Sequence, residues 1–118
     1  MIVMIFEFEV RPHEYEAYLS ESTELRPHLA EIQGFISVER FASQTTDGRF
    51  VAIGYFETEE AVAKWRNLQA HRRAQALGRS RFFSSYRLVM AQSLRDYTHD
   101  YRDQAPSYSK TEMGNHNV

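Results

Sequence analysis

The chain has 118 residues, 42% of them hydrophobic and 25% charged, with no cysteine and a formal net charge of −2 at pH 7. This length accommodates one domain, and the composition is that of a soluble globular protein, which excludes disordered and fibrous classes, disulfides, thiolate nucleophiles and zinc–thiolate sites. No apolar run approaches the roughly 18 residues of a membrane span, and the apolar start lacks the basic segment and cleavage site of a secretory signal, so we expect a cytoplasmic protein without a membrane partner.

The first third of the sequence predicts a strand followed by a helix. Apolar and charged residues alternate over Ile2–Val10, which is typical of a strand. From His13 onward the apolar residues follow the three- and four-residue spacing of one helical face. Pro27 lies within this pattern and has no N–H to donate, so we expect the helix to end or kink near Leu25 or Arg26.

The next segment predicts a hairpin. Phe35–Phe41 and Arg49–Phe56 are rich in the aromatic and β-branched residues that strands favour. The Thr-Thr-Asp-Gly sequence between them, which ends at Gly48, is typical of a tight turn. We expect the two strands to pair antiparallel.

A second helix and a last strand complete the pattern. Thr58 is a good N-cap, the apolar stripe after it is helical up to Leu77, and Gly78 fits the position just beyond a helix end. Alternation within Ser84–Leu94 predicts a strand. From Tyr97 onward the sequence is polar and aperiodic, so we assign residues 1–97 to the domain and residues 98–118 to a polar tail that is loose unless a partner holds it.

The order βαββαβ predicts the ferredoxin-like α+β fold, a four-stranded antiparallel sheet with both helices on one face. The opposite face would be bare, yet strand residues of both parities are large and apolar, for example Phe6 and Ile5. A second subunit that lays its sheet against this face would bury those residues. We therefore expect a homodimer.

Charge is distributed unevenly along the chain. Residues 1–60 contain twelve acidic residues against four basic ones, whereas residues 61–95 contain eight basic residues and no acidic one. Such a block suits an anionic ligand, a nucleic-acid backbone or the acidic half of a partner subunit. Because the net charge is slightly negative and no nucleic-acid-binding motif is recognisable, we do not expect nucleic acid as a partner.

Three segments carry a resemblance to a known family: Gly34–Phe41 (GFISVERF), Glu60–Asn67 (EAVAKWRN) and His71–Gln75 (HRRAQ). Over roughly residues 2–96 the chain resembles the antibiotic biosynthesis monooxygenase (ABM) family. The resemblance implies a dimeric α+β barrel with a pocket in each subunit between helices and sheet. Family members include cofactor-independent monooxygenases that act on polycyclic phenols, haem-degrading enzymes and many proteins without an assigned activity.

The resemblance implies catalytic roles for Trp65 and His71. An inward-facing tryptophan on the helix after the third strand is a recurring pocket residue of the family, and His71 would hydrogen-bond a phenolic oxygen and help to form the phenolate that hands an electron to O₂. The two side chains line one cavity only if the helix breaks between them, and related proteins tend to have a proline near the position of Gln69 that causes such a break. The alternatives are a Trp65 that only fills the core and a His71 that faces solvent or caps a helix.

Further side chains are candidates for substrate binding, because an aromatic pocket with a few polar groups suits a flat aromatic ligand. The candidates for these polar groups are Tyr18, His28, Tyr55 and Tyr86. Arg72 is a candidate for contact with a ligand carboxylate. The alternatives are that the aromatic residues fill the core or the dimer interface, and that the arginines of this region are solvated or pair with acids of a second subunit such as Glu14 or Glu16.

The haem-degrading branch has a histidine about ten residues after the tryptophan and an asparagine in the first strand. This chain has Gln75 at the first of these positions and no asparagine in Ile2–Val10. We therefore expect no cofactor and no metal site, with His71 as an unusual axial ligand in the alternative that haem binds.

No phosphate-binding loop, nucleotide fingerprint, zinc spacing or serine-elbow motif is present, so phosphoryl transfer, dehydrogenase and common hydrolase chemistry have no support in the sequence. Cofactor-independent oxygenation needs little machinery, because an electron-rich substrate reduces O₂ itself and the protein has only to bind, desolvate and deprotonate it. The leading hypothesis is an ABM-like monooxygenase that oxidises an aromatic or phenolic small molecule. The alternatives are a non-catalytic small-molecule-binding or stress-response dimer and a haem-binding or haem-degrading protein.

Overall fold

Four strands form one antiparallel sheet in the order β2-β3-β1-β4. The structure is a computed structural model that describes residues 1–107. The strands are β1 (Ile2–Val10), β2 (Phe35–Ala42), β3 (Arg49–Phe56) and β4 (Phe83–Gln92). The helices are α1 (Tyr15–Ala30), α2 (Glu59–Asn67) and α3 (Gln69–Leu77), with a 3-10 turn at Pro12–Glu14 and a π-helical turn at Gly78–Phe82. This is the predicted ferredoxin-like α+β fold, and β1 and β3 have the predicted bounds.

The predicted tail of residues 98–118 is described only as far as residue 107, and residues 108–118 lie outside the described residues. Within the described part, Ala105 is 5% exposed, and the guanidinium carbon of Arg102 lies 5.2 Å from the ring centroid of Tyr97. The boundary between domain and tail at residue 97 stays a prediction.

The predicted hairpin is confirmed. Strands β2 and β3 pair antiparallel, with a register shift near Phe35. Gly48 has a φ of +79° in the turn between them, a left-handed conformation that glycine adopts without the steric cost of a Cβ.

The strands place alternate side chains on the two faces of the sheet. On the helix-covered face, Phe8 of β1 and Phe56 of β3 are 2% and 1% exposed. On the opposite face, Ile5 of β1 stands beside Ile53 of β3 and Val89 of β4 in the strand register. We call this the bare face, because these three apolar residues stay partly exposed within residues 1–107.

Two groups of buried and partly buried side chains hold the helices against the sheet. One group consists of Leu29, Phe56, Ala61 and Trp65. The other group is aromatic and is centred on Phe8, whose ring centroid lies 4.9–5.6 Å from the centroids of Phe6, Tyr18, Phe50 and Phe83. Each buried side chain of this size stabilises the fold by roughly 1.5–3 kcal/mol.

Helix α1 continues through Pro27 to Ala30, so the expected end near Leu25 or Arg26 is wrong, while the alternative of a kink there stays a prediction. Proline inside a helix costs about 3 kcal/mol through a lost hydrogen bond and a steric clash. Leu29, however, is 7% exposed and belongs to the core. Continuing the helix carries Leu29 into that core, and the burial offsets much of the cost of the proline.

The predicted second helix is in fact two helices. The hydroxyl of Thr58 accepts a hydrogen bond from the backbone N–H of Ala61 at 3.2 Å, which confirms the predicted N-cap. Leu68, between α2 and α3, is extended with φ −63° and ψ 135°. The helix therefore breaks at Leu68 without a proline. Within residues 1–107, no helix is long and apolar enough to cross a membrane.

Helix α3 ends at Leu77 as predicted, but Gly78 does not act as a left-handed terminator. Its φ of −58° and ψ of −51° are helical, and the chain continues directly into the π-helical turn. A Cβ at Gly78 would lie 2.6 Å from Cε2 of Phe83. Glycine is needed here because the Phe83 ring packs against its Cα, and not because of the backbone conformation.

Candidate functional site

A cavity of about 440 Å³ lies between the helices and the helix-covered face of the sheet. Its walls are mainly apolar and include Met4, Phe6, Leu25, Leu29, Val38, Val62 and Phe83. Strand β4 contributes Tyr86, Leu88 and Met90, which are 41–52% exposed, so the cavity is open to solvent along this edge strand. Such a lining suits a small and largely apolar organic molecule.

Trp65 and His71 form a stacked pair in the wall of the cavity. Their ring centroids lie 3.9 Å apart and their planes differ by 25°. Six residues along one continuous helix would place these side chains about 120° apart, but the extended Leu68 reorients α3 relative to α2. The break between α2 and α3, which Trp65 and His71 need in order to line the same cavity, is therefore present. Trp65, at 6% exposure, belongs to the core as well as to the cavity wall.

The His71 side chain is held in its neutral form. Burial lowers the pKa of His71 to about 4, although the backbone carbonyl groups of Arg66 and Trp65 favour the protonated ring. The Nδ1 atom of His71 is buried and has no hydrogen-bond partner among the described residues. At neutral pH the imidazole is therefore uncharged, and a neutral ring has one nitrogen that donates a hydrogen bond and one that accepts.

A second polar group lines the cavity where β2 faces α1. Nη1 of Arg40 donates hydrogen bonds to the hydroxyl oxygen of Tyr18 at 3.1 Å and to Oγ of Ser22 at 3.3 Å. The guanidinium carbon also lies 5.3 Å from the centroid of the Tyr18 ring. Burial raises the pKa of Tyr18 above its ordinary value despite the opposing effect of Arg40, so the phenol stays neutral and Arg40 keeps an uncompensated charge.

The structure separates the predicted site residues into two sets. Trp65, His71, Tyr18 and Tyr86 line the cavity. The other three lie outside it. His28 is exposed in the last turn of α1. Tyr55 is two residues after Ile53 in β3 and therefore lies on the bare face. Arg72 is exposed on α3, where its Nη2 donates to Oδ1 of Asn67 at 3.4 Å.

The sequence-based prediction missed Arg40. The available signal was parity: Arg40 is two residues after Val38 in β2 and therefore shares its face, and Val38 packs against the core. A charged residue at a core-facing position of a strand needs a partner or a function. The family resemblance includes Gly34–Phe41 but implies catalytic roles only for residues of α2 and α3.

Three of the arginines after residue 60 pair with acids of the same chain, one of them Arg87, whose Nη1 lies 4.0 Å from Oε1 of Glu7. Nη2 of Arg73 lies 3.0 Å from Oε1 of Glu21, and Nε of Arg81 lies 2.7 Å from Oε2 of Glu14. Glu14, one of the acids considered for a pair with a second subunit, thus pairs with Arg81 of its own chain. Within residues 1–107, no group of three or more His, Asp or Glu side chains is arranged to hold a metal ion.

The sequence profile described as antibiotic biosynthesis monooxygenase matches residues 1–77, about two thirds of the chain. The chain belongs to the antibiotic biosynthesis monooxygenase family.

Two relatives of this ABM chain extend the comparison. A protein of Pyricularia oryzae named jasmonate monooxygenase ABM is 33% identical over 92 residues, which are 78% of this chain and 43% of the relative. The uncharacterized protein YqjZ of Bacillus subtilis is 33% identical over 72 residues, which are 60% of this chain and 61% of the relative. The chain thus spans less than two thirds of the length of either relative.

Solved structures share the ABM fold at low sequence identity. A crystal structure of an antibiotic biosynthesis monooxygenase superposes with a TM-score of 0.70 at 17% identity, over 80% of this chain and 99% of the other. SnoaB, a cofactor-independent oxygenase from Streptomyces nogalater, gives a TM-score of 0.69 at 15% identity, over 80% of this chain and 94% of the other. At these identities the likeness concerns the fold, because one fold serves many reactions.

Proposed function

We propose that this ABM chain is a monooxygenase that oxidises an aromatic or phenolic small molecule with O₂ and without a cofactor. The observation that carries the proposal is the neutral His71 stacked on Trp65 inside a largely apolar cavity. Family membership supports the proposal, as do the relative named a monooxygenase and the fold likeness to an oxygenase that needs no cofactor.

In this proposal the apolar walls and Trp65 hold the aromatic ring and exclude water, while His71 accepts the proton of a phenolic hydroxyl group. A histidine with a pKa of about 4 is a weaker base than an ordinary one, but at neutral pH nearly every molecule is in the accepting form. The hydroxyl groups of Tyr18 and Tyr86 are the polar groups that orient the substrate.

The overall reaction converts a phenol with a free para carbon, together with O₂, into a quinone and water. The phenolate transfers an electron to O₂, the para carbon forms a bond to one oxygen atom, and the O–O bond breaks. The second oxygen atom leaves as water with the phenolic proton and the proton displaced from the ring. All four electrons that reduce O₂ come from the substrate, so no external reductant is needed.

The test is incubation of the protein with a panel of polycyclic phenols under ¹⁸O₂, with O₂ uptake, quinone absorbance and mass spectrometry as readouts. We expect one labelled oxygen per quinone and a rate at least about 10-fold lower in His71→Ala and in Trp65→Phe. Phenylalanine is chosen because alanine at a buried tryptophan would cost about 3–5 kcal/mol of stability. Arg95→Gln, at an exposed position outside the cavity, is the matched control.

Label incorporation no higher than autoxidation without protein, across the whole panel, would rule out the proposed reaction. Saturable binding of the same phenols without O₂ uptake would then favour the non-catalytic binding dimer. A Soret shift on addition of haemin that disappears in His71→Ala would favour the haem-binding alternative.

We further propose that the chain forms a homodimer through the bare face. Ile5, Ile53 and Val89 form an apolar strip across three adjacent strands, and they stay partly exposed within residues 1–107. A second copy would bury this strip, and exposed contiguous apolar surface is typical of such interfaces.

A further inference from the structure

We propose that the substrate of the cavity carries a carboxylate group, and that Arg40 binds this group through the edge of its guanidinium formed by Nε and Nη2. The inference rests on the proposed function in one respect: it takes the cavity as the substrate site. It adds the chemical class of the substrate, an aromatic acid, and assigns a binding residue on β2, away from the Trp65–His71 pair on α2 and α3.

The first argument is the hydrogen bonding of Arg40. A guanidinium has five N–H donors, and both of those on Nη1 are used, one by Tyr18 and one by Ser22. The single donor on Nε and the two on Nη2 have no partner among residues 1–107. These two nitrogens form the side of the guanidinium that binds both oxygens of a carboxylate in a parallel, bidentate arrangement.

The second argument is that no carboxylate balances the charge of Arg40. The ion pairs within residues 1–107 do not include it. Tyr18 is a neutral phenol because burial raises its pKa. Glu21, the acidic residue in the cavity wall, is engaged by Arg73 at 3.0 Å. A partly buried cation in a mainly apolar cavity is costly unless an anion joins it.

The third argument is the charge around the cavity as a whole. Its wall contains Arg26, Arg66 and Arg79 in addition to Arg40, against the single acid Glu21. His71 adds no charge at neutral pH. The potential in the cavity is therefore positive, and it favours an anionic ligand over a neutral one of the same shape.

A carboxylate fits these features better than a phenolate does. A phenolate has one oxygen and would leave part of the paired donors of Nε and Nη2 unused, whereas a carboxylate engages both. Donors left unpaired in a mainly apolar wall are less favourable than paired ones. With the carboxylate on Arg40, the ring of the ligand would lie against the apolar wall, and its hydroxyl group would be left for His71.

The test compares naphthalene-2-carboxylate with naphthalene-2-carboxamide by isothermal titration calorimetry at low salt. The two ligands have nearly the same shape, neither has a phenolic group to oxidise, and only the first is an anion. For the wild-type protein we expect the carboxylate to bind about tenfold or more tightly than the carboxamide, which is the advantage of a charge-assisted pair.

Variants of Arg40 test whether this residue causes the preference for the carboxylate over the carboxamide. In Arg40→Gln we expect the carboxylate to lose its advantage while the affinity for the carboxamide stays within about twofold, which would show that the cavity is intact. In Arg40→Lys we expect part of the preference to remain, because an ammonium group keeps the charge but not the bidentate geometry. Arg95→Gln removes an exposed arginine outside the cavity and should keep the full preference.

Equal affinities for the two ligands in the wild type, a failure of both to bind, or a preference that survives in Arg40→Gln would each overturn the inference. If Arg40→Gln does not fold, Arg40→Lys decides, and an unchanged preference there counts against bidentate binding. Since neither ligand is turned over, a carboxylate preference without oxygen incorporation into phenols would leave the inference standing and remove the proposed reaction.

Discussion

His71 combines aromatic stacking with loss of charge. The ring lies 3.9 Å from Trp65, and burial lowers its pKa from 6.5 to about 4. An unfolded chain therefore binds a proton at His71 between pH 6.5 and 4, whereas the folded chain does not. The stabilising contribution is fully present above pH 6.5 and is lost as the pH falls through this window.

This linkage predicts the effect of His71→Gln on acid stability. The slope for one fully shifted group is about 1.4 kcal/mol per pH unit. Between pH 7.5 and pH 5 we expect the wild type to lose about 1–2 kcal/mol more unfolding free energy than His71→Gln. Urea unfolding of both proteins at the two pH values measures the difference, and the variant serves as the control for all other titrating groups. Equal losses in the two proteins would mean that His71 titrates normally.

Trp65 and His71 were predictable as candidates because the resemblance carries them. Arg40 was not predictable as a site residue. The indication is that Arg40 lies on the same face of β2 as Val38, and β2 also contains exposed polar residues. Tyr55 shows the opposite error: an aromatic residue with a hydroxyl group looks like a pocket residue, but one position along a strand decides which face it occupies.

At the element scale, the break at Leu68 positions the candidate site. The break exists without a proline, and Leu68 has φ −63° and ψ 135°. These angles are the ones that a residue before proline prefers, and Gln69 is the first residue of α3, where proline is well tolerated.

We therefore expect Gln69→Pro to keep the fold and to raise the unfolding free energy by about 0.4–1 kcal/mol, because proline restricts the unfolded chain. Gln75→Pro, in the interior of α3, is the contrasting variant and should lose about 3 kcal/mol or more. Urea unfolding monitored by circular dichroism compares them. Destabilisation by both prolines to a similar extent would show that Gln69 is not at a true helix start.

The elements that followed from the sequence are those in which local pattern and tertiary packing agree. Alternation predicted β1, aromatic and β-branched composition predicted β3, and the N-cap residue Thr58 predicted the start of α2. Two of the errors have causes in the packing: burial of Leu29 carries α1 past Pro27, and the approach of the Phe83 ring explains Gly78. The core partners Phe56 and Trp65 of Leu29 are distant in sequence, and Phe83 approaches Gly78 only because of the π-helical turn between them, which the alternation and spacing patterns do not predict.

At the scale of the whole molecule, the bare face is the feature that a single chain does not explain. The βαββαβ order and apolar residues of both parities were enough to predict the sheet and its two kinds of face. They do not determine which surfaces meet in an assembly, because that depends on the fit of two complete faces.

The homodimer proposal predicts that light scattering coupled to size-exclusion chromatography gives twice the chain mass of 13.9 kDa. Ile53→Lys places a charge at the centre of the bare face and should shift the protein to monomer, because a buried unpaired charge is costly. Leu94→Lys, at a position that is 93% exposed, is the matched control. A monomeric wild type, or a dimer that Ile53→Lys leaves intact, would exclude the bare face as the interface.

The stacking of Trp65 on His71 also makes the cavity optically visible. Trp65 is the single tryptophan of the chain, so indole fluorescence reports from the cavity wall and from nowhere else. A protonated imidazole quenches indole emission more strongly than a neutral one does, and the two rings are in contact at 3.9 Å. The emission of the unlabelled protein should therefore follow the protonation state of His71, and it should change when a ligand enters beside the pair.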